Sequence, residues 1–107
     1  MLPSEEARRT PAYDLEEVQR LVGQGPISCT VTEAALLNAD DLGLGYANVI
    51  EAVLLLTPAD FYKTMPAARV PGQWQDVYRL SYREFELYIK LQINRKSMAV
   101  VIQFKRR

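Results

Sequence analysis

The hydrophobic period of this chain changes after Gly72, and that change restricts the fold more than any other feature. Leu87, Ile89, Leu91 and Ile93 alternate with Glu86, Tyr88, Lys90 and Gln92. Met98, Val100, Ile102 and Phe104 alternate in turn with Ala99, Val101, Gln103 and Lys105. A period of two belongs to strands buried on one face, and Asn94 to Ser97 reads as the hairpin between them. Upstream the period is helical. Asp14 is placed to cap a first helix, with Glu17 completing a capping-box pattern and Leu15, Val18, Leu21 and Val22 forming its apolar stripe. Gly23 and Gly25 stop it, and Ile27 to Val31 reads as a short edge strand. Thr32 caps a second helix through Leu42, ended by Gly43. A third, about Tyr46 to Leu56, carries Val49, Ile50, Val53, Leu54 and Leu56 and is expected to be the best buried. Thr57-Pro58-Ala59-Asp60 is a further helix start, expected to deliver Phe61, Tyr62 and Lys63 from one helical turn. Helices followed by a meander predict an α+β domain, with N-terminal helices packed on one face of a C-terminal antiparallel sheet.

A chain of 107 residues with 49% apolar content suits one domain. It is expected to span residues 13–107 behind a flexible start at 1–12. The lone Cys29 excludes an internal disulfide and a Cys-based zinc site, and without any His to activate it the thiol reads as a packing residue. No signal peptide is evident, and the longest apolar run, Ala52 to Leu56, is too short to span a membrane. The expected location is cytoplasmic, with no membrane partner. A net charge of zero conceals a split: residues 1–59 carry −6 and residues 60–107 carry +6. Such a split fits a chain whose second half meets a polyanion, although helices collecting Glu would give the same pattern.

Strand parity sharpens this. If Leu87 and Phe104 face the helices, Tyr88, Lys90, Gln92, Gln103 and Lys105 point to the opposite face. Between Trp74 and Leu80, Trp74, Tyr78 and Leu80 suit the core, while Gln75, Val77 and Arg79 fall on the open side. Asp76 has inner parity and is expected to bind local backbone or an Arg rather than act as an acid. With Lys63 arriving from the adjacent loop, a cluster of Lys, Arg, Tyr and Gln shares one surface. An ordinary solvated sheet face would look the same.

The chemistry open to these residues is narrow. No His exists for a two-histidine route to RNA cleavage, no Asp/Glu cluster has metal-site spacing, and Asp40 and Asp41 diverge on a helix. No phosphate-binding or nucleophile-elbow motif occurs, so neither metal nor cofactor is expected. A Lys/Arg/Tyr/Gln cluster suits a phosphodiester, and RNA supplies its own nucleophile in the 2′-hydroxyl. The protein must help remove that proton, stabilise charge on phosphorus and protonate the departing 5′-oxygen. Neighbouring cations lower a lysine pKa, which can make one Lys a base; otherwise the lysines act as charge stabilisers.

Three ordered blocks carry a family resemblance: Ala35-Leu36-Leu37-Asn38-Ala39-Asp40-Asp41-Leu42-Gly43-Leu44, Phe61-Tyr62-Lys63-Thr64-Met65, and Trp74-Gln75-Asp76-Val77-Tyr78-Arg79. With Tyr88-Ile89-Lys90 and Phe104-Lys105 behind them, the stretch from about Thr10 to Lys105 resembles the motility quorum-sensing regulator (MqsR) toxins. The resemblance implies a RelE-like fold and an endoribonuclease that cleaves mRNA at GC-containing triplets. It also implies a cognate antitoxin that commonly binds the operator DNA. Carried over by motif, the catalytic set is Lys63, Gln75, Tyr88 and Lys105. Tyr62, Arg79 and Lys90 are added as substrate-binding residues. Trp74 reads as core rather than as a base-stacking platform. The loop from Pro66 to Gln73, the missing Pro after Arg79 and a longer last hairpin depart from the family pattern, and all three flank the expected groove. Two rivals share the fold: a binding or co-repressor module without catalysis, and a nuclease that acts only on the ribosome.

Overall fold

The computed structural model describes residues 10–107; positions 1–9 of the segment expected to be flexible lie outside the described residues. The elements are α1 (Leu15–Gly23), β1 (Cys29–Val31), α2 (Glu33–Asp41), α3 (Tyr46–Leu55), a 3-10 turn (Pro58–Asp60), β2 (Phe61–Pro66), β3 (Trp74–Tyr82), β4 (Phe85–Ile93) and β5 (Ala99–Arg106). The helices pack on one face of a five-stranded sheet of order β1-β5-β4-β3-β2, an α+β fold. The sheet is mixed rather than wholly antiparallel, because the edge strand β1 runs parallel to β5. That pairing follows from α2: the chain leaves β1 directly into the helix that covers β5.

Local signals largely set the helix ends. The Asp14 side chain accepts from the Glu16 backbone N–H, but the expected capping box does not close. Glu17 turns instead to Arg20, at 2.6 Å. The ion pair one turn along competes for the carboxylate. Thr32 caps α2 by accepting from the Ala35 N–H at 3.2 Å. Gly43, at φ +77°, supplies the left-handed residue that ends α2. α3 buries Val49, Ala52, Val53 and the following Leu56, while Leu54 lies outward, 45% exposed, contrary to its expected burial. The Gln19 amide of α1 donates to the Val53 and Leu56 carbonyls at 3.0 and 2.9 Å. One side chain thereby satisfies orphan carbonyls at the end of α3 and ties two helices together.

The core brings Val18, Val22, Val49 and Val53 against Tyr78, Leu87, Ile89, Leu91, Val101 and Phe104. Cys29 is buried within it, and desolvation raises its thiol pKa. The alternation expected for β4 holds, but that of β5 does not. Ala99 and Val101 are fully buried, whereas Val100 and Ile102 are only half-buried. The cause is a β-bulge: Lys90 pairs with Gln103 and Leu91 with Val101, so Ile102 is an extra residue. Its carbonyl accepts from Thr32 Oγ1 at 2.9 Å. Beyond the bulge Phe104 returns to the core and Gln103 and Lys105 stay on the opposite face.

Two further expectations change at the sheet's far side. The Thr57–Asp60 signal forms only a 3-10 turn, with Asp60 closing back on the Thr57 N–H at 2.8 Å. Phe61, Tyr62 and Lys63 then belong to β2, so Lys63 is delivered by a strand rather than by a helical turn or loop. Trp74 is only partly buried. Beside it, Asp76 takes the inner position, accepting from the Ala12 and Tyr13 backbone N–H groups at 2.9 and 3.0 Å. Asp76 thus takes the inner position its parity suggested, but it binds the distant backbone ahead of α1 rather than local backbone or an Arg.

Candidate functional site

The face of the sheet turned away from the helices is organised by strand register into cross-strand rows. Arg79, Tyr88 and Lys105 are successive partners across β3, β4 and β5. Lys63, Val77, Lys90 and Gln103 form the next row, from β2 to β5. A third row contains Gln75 and Gln92, whose amides are linked at 3.3 Å. The register shift between Phe61 and Lys63 leaves Tyr62 without a cross-strand partner, and its ring lies against Tyr88 and Arg79 of the first row.

These rows enclose a groove of about 290 Å³ lined by Tyr62, Lys63, Met65, Val77, Tyr88, Lys90, Gln103 and Lys105. Val77, nearly buried, lies in its floor; Lys63 and Lys105 are exposed and Lys90 is half-buried. The Tyr62 ring stacks on Tyr88, with centroids 6.0 Å apart and planes inclined by 25°. The Arg79 guanidinium lies 4.3 Å from the Tyr62 ring centre and Lys63 Nζ lies 5.4 Å from it. Both distances fit cation–π contact, which orders long cationic side chains without neutralising them. Arg107 reaches the Tyr88 ring at 5.8 Å.

The electrostatics are one-sided. Among the described residues no carboxylate lines the groove. Glu86, the acid with the same parity as Tyr88, is held by Ser81 Oγ at 2.8 Å and by Arg107 at 3.4 Å. Burial lowers the Lys90 pKa, and the charges of Lys105 and Lys63 lower it further. Such a pocket attracts an anion that contacts several cations together. A larger cavity of about 680 Å³ lies near α1, but among the described residues its lining, from Pro11 to Gln19 and around Tyr78, contains no Lys or Arg.

Of the residues expected from sequence, Lys63, Tyr88, Lys105, Tyr62 and Lys90 line this groove. Gln75 does not line it but lies in the next row, paired across to the groove residue Met65, and Arg79 borders it through Tyr62. The structure adds Met65, Gln103 and Arg107. Parity alone put Gln103 on this face, whereas the reach of Arg107 from the chain end had no sequence signal. Among the described residues no group of three or more His, Cys, Asp or Glu comes together, and no helix is long and apolar enough to cross a membrane.

Comparison with known proteins finds two matches. Residues 10–106 match the family described as "Motility quorum-sensing regulator, toxin of MqsA". The chain is also 37% identical over 86 residues to the mRNA interferase toxin MqsR of Escherichia coli (strain K12), covering 80% of this chain and 86% of that protein.

Proposed function

Since the chain belongs to the motility quorum-sensing regulator toxin family, we propose that its lysine-lined groove is where it cleaves mRNA, using the 2′-hydroxyl of the RNA as nucleophile. The observation that carries this reading is the meeting in one pocket of three lysines and a stacked tyrosine pair, with no carboxylate among the described residues. Lys63 and Lys105 are exposed at its rim and suit phosphate binding, where charge accumulates as phosphorus becomes five-coordinate. Tyr88 is the hydrogen-bond donor to the leaving 5′-oxygen. Gln75 positions the ribose or phosphate, and Arg79 and Tyr62 hold the strand by charge and stacking. Among the described residues the groove offers lysines, tyrosines and amides rather than carboxylates or imidazoles, a donor set that fits direct electrostatic catalysis better than a divalent metal.

Recognition of a GC-containing triplet belongs to the same proposal, with the amides of Gln75, Gln92 and Gln103 near enough to the groove to meet a base edge. So do a cytoplasmic site of action, restraint by a cognate antitoxin of the MqsA kind, and operator binding by the toxin–antitoxin complex. Cleavage of purified RNA without ribosomes separates this reading from a ribosome-dependent nuclease.

The basic groove predicts steep salt dependence. RNA affinity is expected to fall linearly with salt on a log–log plot as counterions are displaced. Lys63→Ala and Lys105→Ala should each flatten that slope by about one unit for every phosphate no longer neutralised, and should slow cleavage. Fluorescence titrations across a salt series measure this. Affinity that does not respond to salt would contradict an RNA-binding role for this face.

A further inference from the structure

Cleavage through the 2′-hydroxyl needs a group that takes its proton; the chain has no His, and among the described residues no carboxylate lines the groove. Tyrosine is a poor acceptor while it carries its own proton. Three lysines remain. Lys63 and Lys105 are exposed, and Lys63 is drawn to the Tyr62 ring. Lys90 differs in place and surroundings. It occupies the middle of β4, half-buried, between Val77 on one neighbouring strand and Gln103 on the other. Within the groove it faces Lys63 and Tyr62 from β2, Lys105 from β5 and Tyr88 on its own strand, while Arg79 of β3 lies one row away and Glu86 two rows away on the same face. Glu86 is engaged by Ser81 and Arg107, and among the described residues Lys90 has no ion-pair partner.

We propose that Lys90 is the general base of RNA cleavage, presenting a neutral amine at the floor of the groove to the 2′-hydroxyl. This rests on the reading of the groove as the cleavage site and gives Lys90 a role beyond holding substrate. The step balances as follows. The 2′-O–H proton passes to Lys90 Nζ, the 2′-oxygen forms a bond to phosphorus, and the bond from phosphorus to the 5′-oxygen breaks. The 5′-oxygen takes the Tyr88 phenolic proton, and solvent exchange returns Lys90 and Tyr88 to their starting states. Burial of the amine and repulsion from Lys105 and Lys63 both disfavour the ammonium form. A bound phosphate works the other way, and the exposed Lys63 and Lys105 counter it by neutralising the phosphate themselves.

Single-turnover cleavage of a short RNA at saturating enzyme, measured across pH, tests the assignment. The wild-type rate is expected to rise with pH along a limb whose midpoint lies below the ordinary lysine value of about 10.4. Lys90→Arg keeps a cation that does not deprotonate, so it should bind RNA, lose at least about 100-fold in rate, and lack the limb. Lys105→Gln removes one of the repelling charges and should move the wild-type limb to higher pH, an arm that holds even if Lys90→Arg fails to fold. A Lys90→Arg enzyme with the wild-type rate and limb, or a limb unmoved by Lys105→Gln, overturns the proposal. If the groove itself is misassigned, Lys63→Ala and Tyr88→Phe also cleave normally, which distinguishes that failure from this one.

Discussion

Tyr88→Phe is expected to reduce cleavage by about 100-fold or more while leaving the melting temperature nearly unchanged, the range for loss of a positioned proton donor. The substitution removes only the hydroxyl. The ring keeps its stack on Tyr62, and among the described residues that hydroxyl has no protein partner. Its neighbour supplies the opposite result. Ile89 is fully buried against the helices, so Ile89→Ala should cost about 2–5 kcal/mol through the cavity it leaves. The fraction that remains folded should cleave at a near-normal rate, because the groove lies on the other face. Thermal melts and single-turnover rates on the same samples measure both. Unfolding by Tyr88→Phe, or inactivation of folded Ile89→Ala protein, would reverse the two faces of β4.

The second large effect concerns stability. Asp76 is 1% exposed and accepts from two backbone N–H groups of the segment leading into α1. Asp76→Ala removes a charged acceptor and leaves both donors unsatisfied. Hydrogen bonds to charged groups contribute about 1.5–3 kcal/mol each, and coupling between the pair makes a total of about 3 kcal/mol the expectation. Asp76→Asn keeps one acceptor oxygen and should fall between. Denaturant unfolding monitored at Trp74 gives the values; a loss under about 0.5 kcal/mol would mean that this tether does not hold the N-terminal segment to the sheet. Asp76 sits between Gln75 and Val77 but points away from the groove, so cleavage by folded protein should change much less than stability does.

The sequence made some of this architecture legible and concealed the rest for identifiable reasons. In β4 one face is apolar and the other polar, so parity alone separated Leu87, Ile89 and Leu91 from Tyr88 and Lys90. In β5 both faces carry apolar residues from Met98 to Ile102, so alternation could not reveal which set turns inward. The bulge at Ile102 lies in the pairing of β5 with β4 and is met by the Thr32 hydroxyl, and no local pattern announces it. Lys105 kept its expected face because it lies beyond the bulge. The turn signal at Thr57 to Asp60 was real but short, and pairing with β3 then drew Phe61 to Pro66 into a strand. Propensity yielded to tertiary pairing there. The groove residues were legible as a set because strand period and family motif selected overlapping positions. The Tyr62–Tyr88 stack, the Arg79 contact and the central place of Lys90 depend on register, which only the folded chain displays.

The most direct test of the central claim is cleavage, in excess EDTA, of a defined RNA whose mapped scissile nucleotide is replaced by its 2′-deoxy counterpart. The unmodified RNA should be cut without added metal to give a 2′,3′-cyclic phosphate and a 5′-hydroxyl. The single deoxy substitution should abolish cutting at that position while binding persists. Cutting at the deoxy position, or activity lost to EDTA and restored by Mg²⁺ or Zn²⁺, would contradict a groove that works through the RNA's own nucleophile.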